Sequence, residues 1–431
     1  MKTEQIYRIF REESTGISID SRTVTKGQIF FALCGQNHNG NIYAGNALAN
    51  GASWSIIDDP GYESENTILV DDCLSELQAL ATFHRKAIKS MVLAITGTNG
   101  KTTTKELISS VLATKYRVHH TKGNLNNEIG VPLTILSAPE DTEIMVIEMG
   151  ANHIGEIKNL CKIAMPDFGM ITNIGTAHIE GFGSAEGVLR AKSELYEYLG
   201  KSNGVAFYND KDAVLTERIL KTVNRAVPFS NPAGIDLRIE QLSSDLNLKL
   251  RVNYHQKVFD ISSMLFGSYN IENIRAAMAV GVFLGVDIEK AVDAVQSYRP
   301  GNNRSEIKET GRNTLVCDSY NANPTSMLHA IGSFSGLKGR DKVLILGDML
   351  ELGEKSEEEH QRVLELVNSL DFDKVYLVGP RFHKAAKGTG YMSFPDIESI
   401  SAYFRENILE NKLVLIKGSR RMTLEKLYEL M

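Results

Sequence analysis

The chain has 431 residues, 42% of them apolar and 23% charged, and a formal net charge of −6. That length exceeds one ordinary core and calls for about two to four domains. The acidic balance, with no long basic run, argues against a nucleic-acid partner, and Cys34, Cys73, Cys161 and Cys317, far apart with no Cys-x-x-Cys pair, fit reduced, buried thiols better than a zinc site or a disulfide frame.

The opening segment, Met1-Lys-Thr-Glu-Gln-Ile-Tyr-Arg-Ile-Phe, lacks a continuous apolar core and soon turns charged, so no signal peptide is expected. Residues 1–88 mix short strand patterns (Gln28-Ile-Phe-Phe-Ala-Leu, Ser55-Ile-Ile, Thr67-Ile-Leu-Val) with helix-like segments at 44–50 and 74–89.

The stretch Leu93-Ala-Ile-Thr-Gly-Thr-Asn-Gly-Lys-Thr-Thr-Thr follows an apolar run suited to a buried strand. Its tight turn, Gly97-Thr98-Asn99-Gly100, leads into a helix from about Thr102 onward. Backbone N–H groups in such a turn point at a polyphosphate placed at the positive end of the helix. Lys101 adds a point charge for the terminal phosphates, and the hydroxyl of Thr102 can join a Mg²⁺ shell. The usual spacing wants a further glycine five residues before Gly100, but position 95 is Ile95. This shortened loop makes ordinary kinases and switch GTPases poor fits while keeping ATP.

Further along, Thr121-Lys-Gly-Asn-Leu-Asn-Asn-Glu-Ile-Gly is dense in amides, and Asn126 and Asn127 can hydrogen-bond a sugar or phosphate. Strands are expected at 144–148 and 168–173, each ending in polar residues, as in an open sheet whose strand ends face a ligand crevice. Glu148 then stands at a strand end, placed to ligate Mg²⁺, and His178 follows the next strand. A helix over 185–199 carries Lys192 beside its apolar face, where partial burial would ease loss of a proton. Alternation over 236–262 predicts an antiparallel excursion. The longest apolar stretch, near 276–286, is too short to span a bilayer. A soluble, cytoplasmic protein is expected.

Arg299-Pro300-Gly301 predicts a hinge, followed by Arg304, whose guanidinium can pair with phosphate through two parallel hydrogen bonds. Strand patterns at 314–317, 342–346, 374–378 and 413–416 alternate with helical segments, notably 357–370, and predict a second wound sheet. Asp318 follows the first of these strands, while Asp348 and Glu351 follow the second. Arg420 lies in a basic cluster after the last; an acidic pair facing a basic cluster suits a zwitterionic ligand. No internal repeat or low-complexity tract interrupts the pattern. The expected fold is α/β in three domains: a small α/β N-terminal domain over 1–88, a central P-loop-type wound sheet over 89–300, and a C-terminal Rossmann-like wound sheet over 301–431.

Taken together, these motifs resemble the Mur ligase family, ATP-dependent amide ligases of peptidoglycan assembly. Gly97-Thr-Asn-Gly-Lys-Thr-Thr resembles the family's phosphate loop, shortened spacing included, and Asn270-Ile-Glu-Asn-Ile-Arg-Ala-Ala resembles its Asn-x-x-Asn-x-x-Ala-Ala motif. The resemblance implies nucleotide contacts from Gly97, Thr98, Asn99, Gly100, Lys101, Thr102, Thr103, Asn273, Arg304 and Asp318. It also implies Mg²⁺ held by Thr102, Glu148, His178 and Lys192, the last once carbamylated, with Lys101, Lys192, His178 and Glu148 forming the catalytic set. Asp20-Ser-Arg-Thr-Val is similar to the start of the family's uridine-nucleotide-binding domain, where Ser21 and Arg22 would contact substrate alongside Asn126 and Asn127. At the usual Asp-Gly-His of that domain this chain has Asn39-Gly40-Asn41.

The motifs Asp318-Ser-Tyr-Asn-Ala-Asn-Pro and Gly347-Asp-Met-Leu-Glu-Leu-Gly resemble the family member that joins D-alanyl-D-alanine to UDP-N-acetylmuramoyl-tripeptide. By that resemblance the partners are those two substrates, with Asp348, Glu351 and Arg420 near the incoming dipeptide, no nucleic acid, no membrane insertion, and a monomeric enzyme. The Asp-Asn-Pro-Arg tetrapeptide of the diaminopimelate-adding ligase does not occur. Still open are that third-residue ligase, a folate-type amide ligase, a nucleotide-dependent switch and a small-molecule kinase.

Overall fold

The computed structural model describes residues 2–431 apart from 176–178, 302 and 340. A six-stranded, all-parallel sheet occupies the middle of the chain. From edge to edge its strands are Arg225–Pro228, Val205–Tyr208, Phe168–Ile171, Met91–Thr96, Ile144–Glu148 and Val118–His120. The central strands are buried throughout most of their length, which is why they read as continuous apolar runs. Register pairs Ile95 with Glu148 and Thr96 with Ile171, so the loops leaving three adjacent strands open at one edge. That edge carries the site.

A smaller parallel sheet of four strands precedes it: Ile17–Ser18, Ile29–Phe31, Trp54–Ile57 and Thr67–Leu69. The helix Cys73–Ala87, capped by Asp72 on the N–H of Ser75, joins the two sheets. Sequence pattern places this helix with the first block, yet it packs on helices Gly130–Leu136 and Glu156–Ala164 of the second. Arg85, buried at its last turn, donates to the carbonyls of Ala164 (2.9 Å) and Met165 (3.1 Å) and to Asp167 (3.0 Å). One continuous apolar core therefore runs from Phe30 and Ile56 through Leu77 and Leu80 to Ile147.

Strands Leu237–Ser244, Leu248–Tyr254 and Lys257–Ser263 form the expected antiparallel excursion. The last sheet runs Glu306–Glu309, Thr314–Asp318, Leu413–Lys417, Lys342–Gly347, Lys374–Val378 and Met392–Phe394, parallel except at its first, edge strand. Sequence reading missed Val118–His120, Val205–Tyr208, Arg225–Pro228, Glu306–Glu309, Met392–Phe394 and the first helix, Lys2–Glu12. The strands among them are three or four residues long, too short for periodicity to show, and pairing with a neighbour makes them strands. Phe266, from the middle of the chain, is buried with Phe334 of the last block, ring centroids 6.3 Å apart. The third sheet is thus packed against the chain that leads into it. No helix among the described residues is long and apolar enough to cross a membrane.

Candidate active site

The loop after strand Met91–Thr96 turns through Gly97 (φ 144) and Gly100 (φ 78) into the helix Lys101–Leu112. Both glycines are demanded by neighbours as well as by backbone angle: a Cβ at Gly97 would lie 1.9 Å from Thr172 Oγ1, and one at Gly100 2.6 Å from Asn273 Oδ1. The loop is buttressed from the adjacent strand end. Thr98 and Asn99 donate their N–H groups to Asn173, while Thr172 Oγ1 and Asn173 Nδ2 donate to the carbonyl of Asn99. Lys101 Nζ folds back onto the carbonyls of Gly97 (2.7 Å) and Thr98 (3.1 Å). Burial, more than any neighbouring charge, pushes the Lys101 pKa below its ordinary value, with Glu148 opposing and Arg304 adding to the shift.

Glu148 is buried at the end of its strand. Thr102 Oγ1 donates to its Oε2 and Asn126 Nδ2 to its Oε1, both at 2.8 Å. A carboxylate and a hydroxyl side by side at a phosphate loop are hard oxygen donors of the kind Mg²⁺ takes. Among the described residues no group of three or more His, Cys, Asp or Glu could hold a metal by itself. A Mg²⁺ that keeps waters and phosphate oxygens in its shell does not need one. His178 lies outside the described residues.

These groups line a cavity of about 620 Å³ between the central and last sheets. Asn273 lies beside the loop, accepting from Thr104 Oγ1 at 3.0 Å, and the far wall holds Arg304, Asp318 and Lys417. Lys417 donates to Asp318 Oδ2 at 2.6 Å, and the N–H of Ser305 donates to Asp318 Oδ1 at 3.2 Å. The Arg304 guanidinium stacks 3.5 Å over the Tyr320 ring, and its Nε is buried with no hydrogen-bond partner among the described residues. Such a donor suits an anionic or polar ligand.

Three family models cover most of the chain: the Mur ligase family catalytic domain over residues 13–91, the Mur ligase middle domain over 95–281, and the Mur ligase glutamate ligase domain over 303–420. The UDP-N-acetylmuramoyl-tripeptide–D-alanyl-D-alanine ligase of Bacillus subtilis (strain 168) is 35% identical over 430 residues, 96% of this chain and 92% of that protein. The chain belongs to the Mur ligase family. Among solved structures, the MurF ligase of Thermotoga maritima in complex with ADP superposes with a TM-score of 0.85 at 28% identity, covering 98% of this chain and 97% of that one. MurF from Acinetobacter baumannii gives 0.84 at 29% identity, with 98% and 97% covered.

In this Mur ligase the structure brings together Thr98, Asn99, Gly100, Lys101, Thr102, Thr103, Asn126, Asn127, Glu148, Asn273, Arg304 and Asp318 around the one cavity. Gly97 opens the loop at its strand end and is not among the lining residues. Asn127 also caps the helix Gly130–Leu136 through the N–H groups of Ile129 and Gly130. Lys192 sits behind the cavity wall, 2% exposed and 5.5 Å from the Phe182 ring centroid. Burial, then the charge of Lys101, pushes its pKa down to about 7, against the pull of Glu156.

Ser21 and Arg22 line a separate cavity of about 690 Å³ in the first domain, with His38 and Tyr43. There Asp20 is held at a pKa of about 2 by its hydrogen bonds with Arg22. Asn41, at the departed motif, is buried and donates to Asp58 at 2.7 Å.

The remaining three residues are not gathered at either cavity. Asp348 is buried and accepts from the N–H groups of Arg381 and Phe382, capping the helix Pro380–Ala385. Glu351 is exposed with a φ of 63, and Arg420 is exposed, 5.4 Å from the Tyr320 ring centroid. Sequence reading missed Glu156, which opens the helix Glu156–Ala164, Asn209 at the end of strand Val205–Tyr208, Asp212 capping the helix Ala213–Thr222, Asn323 capping the helix Pro324–Ser335, and His329 within it. The strand-end position was the available signal for Asn209; only folding brings Asn323 and His329 across.

Proposed function

We propose that this chain is an ATP-dependent amide ligase joining D-alanyl-D-alanine to UDP-N-acetylmuramoyl-tripeptide in cytoplasmic peptidoglycan precursor synthesis. Full-length likeness to the Bacillus subtilis ligase supports the substrate assignment, and likeness to the ADP-bound Thermotoga maritima enzyme supports ATP. One observation carries the chemistry: the shortened phosphate loop, with Thr102 hydrogen-bonded to buried Glu148, faces a cavity that the last sheet closes.

In this reading residues 1–88 bind the UDP-sugar peptide, 89–300 the nucleotide, and 301–431 the incoming dipeptide. A carboxylate is a poor electrophile, so the tripeptide's terminal carboxylate oxygen first attacks the γ-phosphorus and the bond to ADP breaks, giving an acyl phosphate. The D-alanyl-D-alanine amine then attacks the carbonyl carbon, phosphate leaves, and the amine's proton passes to solvent. Lys101 and the N–H groups of the loop hold the charge on the transferring group, work that is electrostatic and positional. Thr102, Glu148 and His178 would hold Mg²⁺ and carbamylated Lys192 would be an anionic ligand for a second Mg²⁺; the metal would supply further positive charge at the phosphoryl oxygens. Ser21 and Arg22 would contact the uridine nucleotide. Asn126 and Asn127 would contact the sugar-peptide, and Glu351 and Arg420 the rim that admits the dipeptide. Asp348 would act there only through the helix that it caps. The enzyme would work as a monomer.

The test is phosphate release with ATP, Mg²⁺, UDP-N-acetylmuramoyl-tripeptide and D-alanyl-D-alanine, each omitted in turn. Release that needs every component, with the amide product found by mass, is expected. Turnover with UDP-N-acetylmuramoyl-dipeptide and a third-position amino acid instead would move the protein one step earlier, and no turnover with either set would refute the substrate assignment.

A further inference from the structure

The helix Pro324–Ser335 crosses from the last sheet to the central domain and is held at both ends. At its C-terminal end the hold is mainly apolar: Phe334 and Phe266 are both buried in one cluster, with the Ser333 and Ser268 hydroxyls 3.5 Å apart at the exposed side. At its N-terminal end it is polar. Asn323 uses Oδ1 to accept from the N–H of Ser326 (2.9 Å), capping the helix, and donates from Nδ2 to Asn99 Oδ1 of the phosphate loop at 2.7 Å. Asn99 is itself fixed by three hydrogen bonds from or to Thr172 and Asn173, the residues that follow the adjacent strand. One side chain thus ties the cap of a helix in the last domain to the loop that would hold the phosphates.

The two ends differ in kind. A buried aromatic contact resists opening, whereas a neutral amide–amide hydrogen bond on the cavity wall is exchanged more readily for water. The geometry suits a pivot at Phe334 and a latch at Asn323. We propose that Asn323 is a positioning residue that latches the last domain onto the phosphate loop, so that the acyl phosphate is committed to the incoming amine and not to water. The proposal rests on the ligase reading above. Without the latch, water attacks the carbonyl carbon, the bond to phosphate breaks, and the carboxylate is regenerated with one ATP spent and no amide made.

Two substitutions separate latch from cap. Asn323→Ser keeps an N-capping hydroxyl but is too short to reach Asn99. Asn323→Asp keeps the cap and can accept from Asn99 once that amide turns its Nδ2 toward the new carboxylate. Amide formed per phosphate released is measured with all substrates present. Wild type and Asn323→Asp should stay near one, and Asn323→Ser should fall to about one amide per two phosphates or fewer, with its thermal midpoint kept. An unchanged ratio in Asn323→Ser, or an equal fall in Asn323→Asp, overturns the latch. Should wild type form no amide, the ligase reading fails instead. The latch is then decided by backbone amide exchange over residues 98–103 in the ligand-free protein, as it is if Asn323→Ser turns over nothing. Faster exchange in Asn323→Ser but not in Asn323→Asp supports it, and equal exchange in all three overturns it.

Discussion

Replacing Lys192 with methionine tests whether burial, with the nearby charge of Lys101, sets the state of this side chain. Methionine keeps an unbranched apolar stem, one atom shorter than lysine, that can still pack against Phe182. In the unfolded chain Lys192 titrates at its ordinary 10.5, and in the folded protein at about 7. Between those values the unfolded state binds a proton that the folded state does not, so stability rises with pH across the window. The penalty is complete below about pH 7 and vanishes above 10.5. Worked from the two values, it amounts to about 4 kcal/mol at pH 7 and about 2 kcal/mol at pH 9. Lys192→Met removes it at every pH, whereas all other titrating groups are common to both proteins. Urea unfolding in CO₂-free buffer should therefore show the variant more stable at pH 7, by a margin that shrinks by about 2 kcal/mol at pH 9. A margin that stays constant or widens would refute the reasoning. The same depressed value leaves about half of Lys192 neutral at pH 7, against about one part in three thousand for an ordinary lysine, which favours the proposed carbamate. Ligation by the variant should accordingly fall by about two orders of magnitude.

Glu148→Gln keeps the shape of the group that Thr102 and Asn126 hold but removes its charge. Ligation should drop about a hundredfold or more, with the Mg²⁺ dependence moved to higher concentration and the melting temperature nearly unchanged. Activity within about fivefold of wild type at saturating Mg²⁺ would remove Glu148 from the metal site. Gly100→Ala places a Cβ 2.6 Å from Asn273 Oδ1 at a φ of 78, and should lower stability by about 1–3 kcal/mol while weakening ADP about tenfold by calorimetry. Unaltered ADP affinity would contradict the close approach. Arg85→Ala leaves two carbonyls without their donor where the first helix layer meets the central sheet. It also removes an ion pair to half-exposed Asp167, which keeps the Val92 N–H, and should lower stability by about 1–3 kcal/mol in urea. A loss of under about 0.5 kcal/mol would mean that the junction does not depend on it.

The phosphate loop, Glu148 at its strand end and the antiparallel excursion were all legible in the sequence, because each is set by residues close together in the chain. Apolar runs bounded by glycine fix strand, turn and helix locally, and a polar residue ending a parallel strand must emerge at the crevice edge. The third wound sheet was legible for the same reason, save for its short edge strands, which exist only by pairing with Thr314–Asp318 and Lys374–Val378. Asp348 shows the limit. Its motif reads as a ligand-facing loop, but a backbone turn brings the helix Pro380–Ala385 over it, and its carboxylate is taken up capping that helix. The helix Cys73–Ala87 likewise belongs by sequence to the first block and by packing to both, since an apolar face does not name its partner. The union of Asn323 with Asn99, more than two hundred residues apart, was decided by tertiary structure alone. Local pattern fixes which groups stand at the ends of elements; which of those ends meet is set by how the layers bury their faces against one another.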